Sequence, residues 1–543
     1  MAAMTRLASP TGRPLAAAVA GTPSLIDALR DPACYPHPVD RVEVLETHIS
    51  WVLLAGEFAY KVKKPIRLPF LDFSTPALRR HYCEEEVRLN RRTAPGVYLG
   101  IVPIGGDAAS PRVGVDEPLL ETAVKMQRFR RGALLEDLAR GGSLDGGMVD
   151  ALADAIARFH ASAAVAEPAR DFGCPERVTA PAMENFKEIE ALAPPPSSRE
   201  RLRVLRAWTR TEGEEIGEHL AHRKRDGFVR ECHGDLHLGN VVMLDARPVL
   251  FDAIEFAAKL RWIDVMSDVA FTTMDLFRHG LPRLAWRFLN RYLEATGDYE
   301  GLAVLRYYMV YRAVVRAKIA FIRASQAGGE AAMAQAYADF EAYVALAQRL
   351  SSRPALSVIA MHGLAGTGKT TASERLAEAL GAVRLRSDVE RKRLHGLAAL
   401  ERAAAPPGEG LYAADATRQT YERLEMLARE CLAAGYPVIV DATFLERGRR
   451  DAFRRVAAQA GAAFELASCS APDHVLRDRL ARRAAQADDA SDAGVAVLDA
   501  QLRAQDLLAP EERIQATLLD MASIPEWHGA VESLARRFRS RTG

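Results

Sequence analysis

Cysteine is scarce and scattered in this chain of 543 residues. The six thiols lie at Cys34, Cys83, Cys174, Cys232, Cys431 and Cys469, with no C-x-x-C pair and no histidine beside them at metal-ligand spacing. That pattern excludes a disulfide framework and a zinc site of ordinary spacing, and it fits a reducing compartment. Long apolar runs are also missing: none approaches the roughly 20 residues that span a bilayer. Charge of neither sign prevails. A net charge of +1 gives no reason to expect long nucleic acid or a membrane surface as partner. There is no short-period repeat and no low-complexity tract beyond Ala-rich helix. The start, "MAAMTRLASPTGRPLAAAVAG", has an apolar stretch shorter than a signal-peptide core. Residues 1–24 are expected to form a disordered tail, and the protein is expected in the cytoplasm.

The remaining composition is that of a globular protein, 49% hydrophobic and 26% charged. The length exceeds one core, and two large domains fit it. Residues 41–64, "RVEVLETHISWVLLAGEFAYKVKK", read as a β-hairpin turning at Gly56-Glu57. A helix with Pro76 near its start follows, then strands at "VYLGIVPI" and "ETAVKMQRF". From about residue 147 the apolar spacing becomes helical, with "ALAPPPSS" at 191–198 as a loop and further helix over 199–222 and 281–350. A β-rich small lobe before a helical large lobe is the order of a bilobal kinase. After Pro354 the pattern changes to strands alternating with helices ("ALSVIAMHG", "AVRLRSD", "GYPVIVDATF", "AAFELASCSA"), which predicts a parallel α/β sheet. The expected architecture is therefore a two-domain chain of α+β and α/β type: a protein-kinase-like bilobal domain over 25–350, and a P-loop parallel α/β domain over 354–530.

Two stretches carry chemistry. In "HGDLHLGNVVMLDARPVLFD", His233, Asp235 and Asn240 have the spacing H-x-D-x-x-x-x-N, and Asp252 follows an apolar run. A hairpin turning at Asp245-Ala246 would bring Asp235, Asn240 and Asp252 around one small volume. Phosphoryl transfer from Mg-ATP needs a carboxylate near the acceptor hydroxyl and oxygen ligands for magnesium. Asp235 suits the first role, and Asn240 and Asp252 suit the second. "FAYK" places Lys61 for the α/β-phosphates, with Glu86 of "CEEEVRLN" as its orienting partner and Glu85 as the alternative. "KMQRF", with Met126, is the expected hinge beside adenine. His160 on an apolar helix reads as a core histidine.

The second stretch is "GLAGTGKTT". Gly363, Gly366 and Gly368 let the backbone curl around phosphates. Lys369 reaches the β/γ-phosphates, Thr370 serves magnesium, and Thr371 opens the following helix. Asp388 in "RLRSDVERKRL" is a candidate general base at a strand end, with Arg391 beside it; a helix cap is the competing reading. Asp441 ends the apolar strand "PVIVD" and is a candidate metal ligand. Ala442 follows it where motor ATPases commonly have an acid, which favours transfer to a hydroxyl. "RDRLARR" offers Arg477, Arg479, Arg482 and Arg483 as lid arginines or as a solvated face, with Arg479 the choice for the nucleotide.

"HGDLHLGN" resembles the catalytic loop of aminoglycoside phosphotransferases. "ETHISWVLLAGEFAYKVKKP", "EEEVRLNRR" and "RWIDVMSDVAF" more specifically resemble a bacterial family that fuses such a domain to a P-loop half of polynucleotide-kinase or zeta-toxin type, over residues 25–530. The resemblance implies Asp235 as catalytic base and Asn240 and Asp252 as metal ligands; it does not imply an aminoglycoside as substrate. The chain departs from kinases in "DAIEF", which lacks a glycine at its third position, and in having no G-x-G-x-x-G loop. "DASDA" at 489–493 resembles a segment of the same family. The function expected is a bifunctional ATP- and Mg²⁺-dependent kinase acting on small hydroxylated acceptors, with a nucleic-acid end compatible with the second domain. The alternative is a nucleotide sensor in which one half controls the other.

Overall fold

A computed structural model describes residues 22–522 except 69–70, 327, 400, 402–409 and 487–493, together with 529, 531–534 and 536. The chain divides into two units, Met1–Gly280 with Val304–Ser351, and Leu281–Ala303 with Ser352–Gly543. The second unit thus takes a segment from inside the sequence span of the first. The segments 1–21 and "DASDA" lie outside the described residues.

In the first unit, strands Val42–Glu46, Ser50–Ala55, Phe58–Lys63, Tyr98–Asp107, Ser110–Val113 and Leu119–Gln127 form one antiparallel sheet. The hairpin turns at Gly56-Glu57 as read from the sequence, and Lys61 lies opposite Val52 on one side and Val124 on the other. Helix Pro76–Asn90 packs on this sheet. It starts where Thr75 Oγ1 accepts the Leu78 N–H and Pro76 occupies the first turn. The rest of the unit is helical, apart from short strand pairs. One pair is the hairpin Val241–Leu244 and Arg247–Leu250, whose turn residues Asp245 and Ala246 both have positive φ, as a tight two-residue turn requires. The loop expected at 191–198 is shorter: helix Pro196–Glu215 begins on Pro196, a residue whose missing N–H costs nothing at a helix start.

The second unit is a five-stranded parallel sheet. Strand Ser357–His362 sits at its centre between Val438–Asp441 and Ala463–Ser470, with Val383–Arg386 and Thr517–Asp520 at the edges. The central strands are buried along nearly their full length, which explains their unbroken apolar runs. Helix Pro282–Thr296 belongs to this unit. Asn290 Nδ2 donates to Ala382 O and Asn290 Oδ1 accepts the Arg384 N–H, so a side-chain amide continues the sheet at its edge strand. No helix among the described residues is long and apolar enough to cross a membrane.

Candidate active sites

The first site forms where the sheet meets the helical lobe of the first unit. Lys61 is buried, with Nζ 2.7 Å from Glu86 Oε1 and 2.6 Å from Asp252 Oδ1. Glu86, not Glu85, is therefore the partner of Lys61; Glu85 instead pairs with Arg88 at the surface. Lys63, two residues along the strand and so on the same face, bonds Glu86 Oε2 at 2.7 Å and also Glu255. Burial alone would raise the Asp252 carboxyl, but the Lys61 ammonium outweighs it and holds it at about 2. Asp252 has φ +65°, an uncommon conformation for a non-glycine residue. It is fixed by its own N–H donating to Tyr98 Oη and by the next N–H donating to Asn90 Oδ1.

The loop from His233 to Asn240 is held by one face of helix Val265–Arg278. Asp268 accepts the N–H groups of His233 and Gly234 at 2.8 and 3.0 Å, Thr272 donates to Leu236 O, and Asp275 accepts the Leu238 N–H at 3.0 Å. Positions 268, 272 and 275 recur at helical spacing, which is why all four bonds come from one element. Gly234 is obligatory here: its φ is +86° and a Cβ would lie 2.5 Å from Leu260 O. His233 Nε2 faces Phe251 O at 2.8 Å and must donate, so Nδ1 accepts the Asp235 N–H. Burial favours that neutral ring. Asn240 Nδ2 donates to Asp235 O at 2.9 Å and Oδ2 at 3.2 Å. The Asp235 carboxyl would be raised by burial, but His237, Arg316 and His233 together bring it below its ordinary value. Met126 packs with Val52, Ala59, Val242 and Phe251 in an apolar cluster shared by sheet and large lobe. His160 is buried, 3.5 Å from Asp268.

The second site lies at the C-terminal end of the parallel sheet. The loop after strand Ser357–His362 carries Gly363, Gly366 and Gly368 with φ of +140°, +82° and +89°, and a Cβ on Gly363 would fall 2.4 Å from Cys469 O. Helix Lys369–Leu380 starts from this loop. A cavity of ≈ 480 Å³ is lined by Gly366, Gly368, Lys369, Thr370, Thr371, Asp388, Arg391, Asp441 and Arg479, among others. Sequence residues chosen from four separate segments therefore converge on it. Asp388 stands in the first turn of helix Ser387–Leu394, 2.7 Å from Arg391 Nη1, and the N-cap position is Arg386, so Asp388 is not a cap. Asp441 is buried and accepts from Ser373 Oγ at 3.1 Å. Arg479 donates to Met521 O at 2.6 Å and reaches Gly366 O, whereas Arg477 pairs with Asp473 and Asp499 outside the cavity. Arg482 is exposed, and the side chain of Arg483 lies outside the described residues.

Sequence reasoning missed Arg386, which lines this cavity with its Nε 4.0 Å from Asp441. Buried Glu294, on helix Pro282–Thr296, pairs with both Arg384 and Arg386, and Arg384 reaches the P-loop helix at Thr370 O. Glu294→Gln would leave two largely buried guanidinium groups short of their main carboxylate. It is expected to destabilise the second unit by about 3–5 kcal/mol, the range for breaking a buried ion pair. Thermal unfolding of the full chain checks this; an unchanged transition would mean that the pairing contributes nothing.

Two family models match parts of the chain. Residues 107–307 match the "Phosphotransferase enzyme family", and residues 358–508 match an "AAA domain" family. Uncharacterized proteins of Mycobacterium tuberculosis and Mycobacterium bovis are 32% identical over 466 residues, covering 85% of this chain and 91% of theirs. Solved structures similar in part include a choline/ethanolamine kinase family protein from Mesorhizobium loti (12% identity, 60% of this chain, 98% of that chain, TM-score 0.33). A sugar kinase from Janibacter is another (19% identity, 34% of this chain, 94% of that chain, TM-score 0.25). The protein is a phosphotransferase enzyme of the kinase type. It belongs to the family of those mycobacterial proteins, in which an aminoglycoside-phosphotransferase-like domain precedes a P-loop kinase-like domain.

Proposed function

We propose that the chain carries two Mg-ATP sites, each transferring a phosphoryl group to a hydroxyl of a small molecule. The observation that carries this reading is the assembly of Lys61, Glu86, Asp235, Asn240 and Asp252 in the first unit. Three of these groups are joined directly through Lys61, and Asn240 bonds Asp235. The donor set suits magnesium. Asn240 bonds Asp235 through its NH₂ and keeps Oδ1 for a cation. Asp252 meets Lys61 through Oδ1 and keeps Oδ2. Magnesium held there would neutralise charge building up on the transferring phosphoryl group. Lys61, oriented by Glu86, binds the nucleotide phosphates. Asp235, kept ionised by its surroundings, positions the acceptor hydroxyl and accepts its proton.

In the second unit Lys369 and the loop N–H groups bind the phosphates, Thr370 and Asp441 supply oxygen ligands for magnesium, and Asp388 faces the acceptor. Arg391 and Arg479 balance the phosphoryl charge. Cytoplasmic location and a nucleic-acid end as a second-site acceptor remain part of the same reading. The test is an acceptor screen on the full-length chain, following ATP loss and phosphorylated product by mass spectrometry, with Asp235→Asn and Lys369→Ala as site-specific controls. The full chain is required because a cut at 351 removes helix Pro282–Thr296 from the second unit.

Lys369→Ala is expected to abolish nucleotide turnover by the second site while leaving the first site's ATP affinity within about fivefold, the lower end of typical allosteric coupling. Calorimetric titration of ATP into this variant measures it. A larger shift would favour the sensor reading, since coupling must act reciprocally on binding.

A further inference from the structure

The large lobe of the first unit contains a second opening beside the Asp235 loop, of ≈ 720 Å³ and lined with basic side chains. Arg140, Arg278, Arg316 and Arg323 all face it, against two carboxylates, Glu136 and Asp339. Those carboxylates are already engaged: Glu136 pairs with Arg140, and Asp339 with Arg278 at 2.8 Å. Arg316 and Arg323 have no carboxylate within ion-pair distance among the described residues. They stand seven positions apart on helix Leu302–Ser325 and so share one face. Arg316 donates through Nε to Tyr343 Oη at 3.3 Å, but its buried Nη1 has no partner, nor does the buried Nε of Arg278. A guanidinium group with a buried donor left unsatisfied and no carboxylate at ion-pair distance, as in Arg316, is costly unless an anion joins it.

The opening adjoins the catalytic loop from the side of Asp235. Glu136 Oε2 lies 3.0 Å from where a Cβ on Gly239 would stand. His279 at the rim is 4.0 Å from Asp275, which itself holds the Leu238 N–H. Arg316 is among the charges that act on Asp235, whereas Lys61 acts on Asp252. The opening therefore adjoins the loop that carries Asp235, and Lys61 is not among its lining residues.

We propose that the acceptor phosphorylated at Asp235 is a hydroxylated small molecule bearing an oxyanion, phosphate or carboxylate, which Arg316 and Arg323 hold while its hydroxyl meets Asp235. This rests on the first site being a kinase. Planar guanidinium groups bind either oxyanion through paired N–H donors. The same field repels amino alcohols and amino sugars.

Two measurements on the full-length chain separate this idea from the kinase reading. The first is calorimetric titration of inorganic phosphate in a Lys369→Ala background, which silences the P-loop. Arg323 is exposed, so Arg323→Glu should fold. It is expected to weaken phosphate binding about 10–100-fold, the scale of a charge-assisted hydrogen bond. Arg316→Ala should act in the same direction. Phosphate binding that is absent, or indifferent to both substitutions, overturns the proposal whatever the enzyme phosphorylates. The second measurement compares glucose 6-phosphate, gluconate, glucose and glucosamine, with glycerol 3-phosphate, glycerate, glycerol and ethanolamine as a smaller set. Asp235-dependent transfer to the phosphate or carboxylate members, with KM raised by Arg323→Glu and the KM for ATP unchanged, supports it, and the preferred member identifies the oxyanion. Transfer only to neutral or cationic members overturns it and leaves the kinase reading standing. If no acceptor gave Asp235-dependent turnover, the kinase reading would be in question, and the phosphate titration would still decide the pocket.

Discussion

Asp235→Asn is expected to lower phosphoryl transfer at the first site by about 10²–10⁴-fold, the usual contribution of a positioned general base, while ATP still binds. The asymmetry follows from the contacts. Asp235 touches Asn240 and faces His237 Nε2 at 3.6 Å, but no bond joins it to Lys61. Asp252, by contrast, bonds Lys61, the lysine proposed to meet the phosphates, and would offer its second oxygen to magnesium. Asp252→Asn should therefore weaken Mg-ATP binding as well as transfer. Calorimetric titration of Mg-ATP into both variants, beside single-turnover rates, checks the division. Equal loss of ATP affinity in the two would place Asp235 at the nucleotide and remove its assignment as base.

That the residues of each candidate site would come together was legible in the sequence because their spacing is set by short-range geometry. A loop that presents Asp235 and folds back on Asn240 needs those residues five apart, and the tightly curled loop after strand Ser357–His362 needs its glycines where φ is positive. The hairpin between Asn240 and Asp252 was legible for the same reason, since its turn at Asp245-Ala246 joins two short, largely apolar strands. What could not be read is which distant element covers each site. The apolar spacing of residues 281–350 marks helices but not their partners, so nothing in it told that Glu294 would belong to the second unit and sit against Arg384 and Arg386 at its sheet edge. Arg316 and Arg323 look like any basic residues on a long helix until the fold places them beside the catalytic loop. Some signals were there to use. Asp268, Thr272 and Asp275 lie at one helical face inside "SDVAFTTMD", a polar stripe in a segment otherwise apolar enough to be buried. Lys63 stands two residues from Lys61, which in a strand means the same face, so its presence argued for a second buried cation rather than for an exposed pair.

That second cation gives a large expected stability effect for a single substitution. Lys61 and Lys63 share a buried cluster with Glu86, Asp252 and Glu255, two positive charges against three negative. Glu86→Ala would leave two against two, with each lysine still bonded to one acid, so its main effect should fall on the orientation of Lys61. Lys63→Met is different. The apolar stem can still pack on Phe73, over which Nζ now lies at 5.0 Å, but Glu255 loses its cation and Glu86 keeps only Lys61. One positive charge then faces three negative ones in a largely buried cluster, and the expected loss is about 3–5 kcal/mol, the cost of breaking a buried pair. The deficit should depend on pH in a definite sense. Burial already raises the Glu255 carboxyl, with Lys63 opposing that and Glu86 adding to it, so removing Lys63 raises it further. A carboxyl whose folded pKa is raised stabilises the fold while protonated, and that stability is lost as pH rises through the folded pKa. Lys63→Met should therefore lie closer to the parent at pH 5 than at pH 8 in denaturant unfolding. A deficit that grew as the pH fell would mean that Glu255 is not the group left uncompensated.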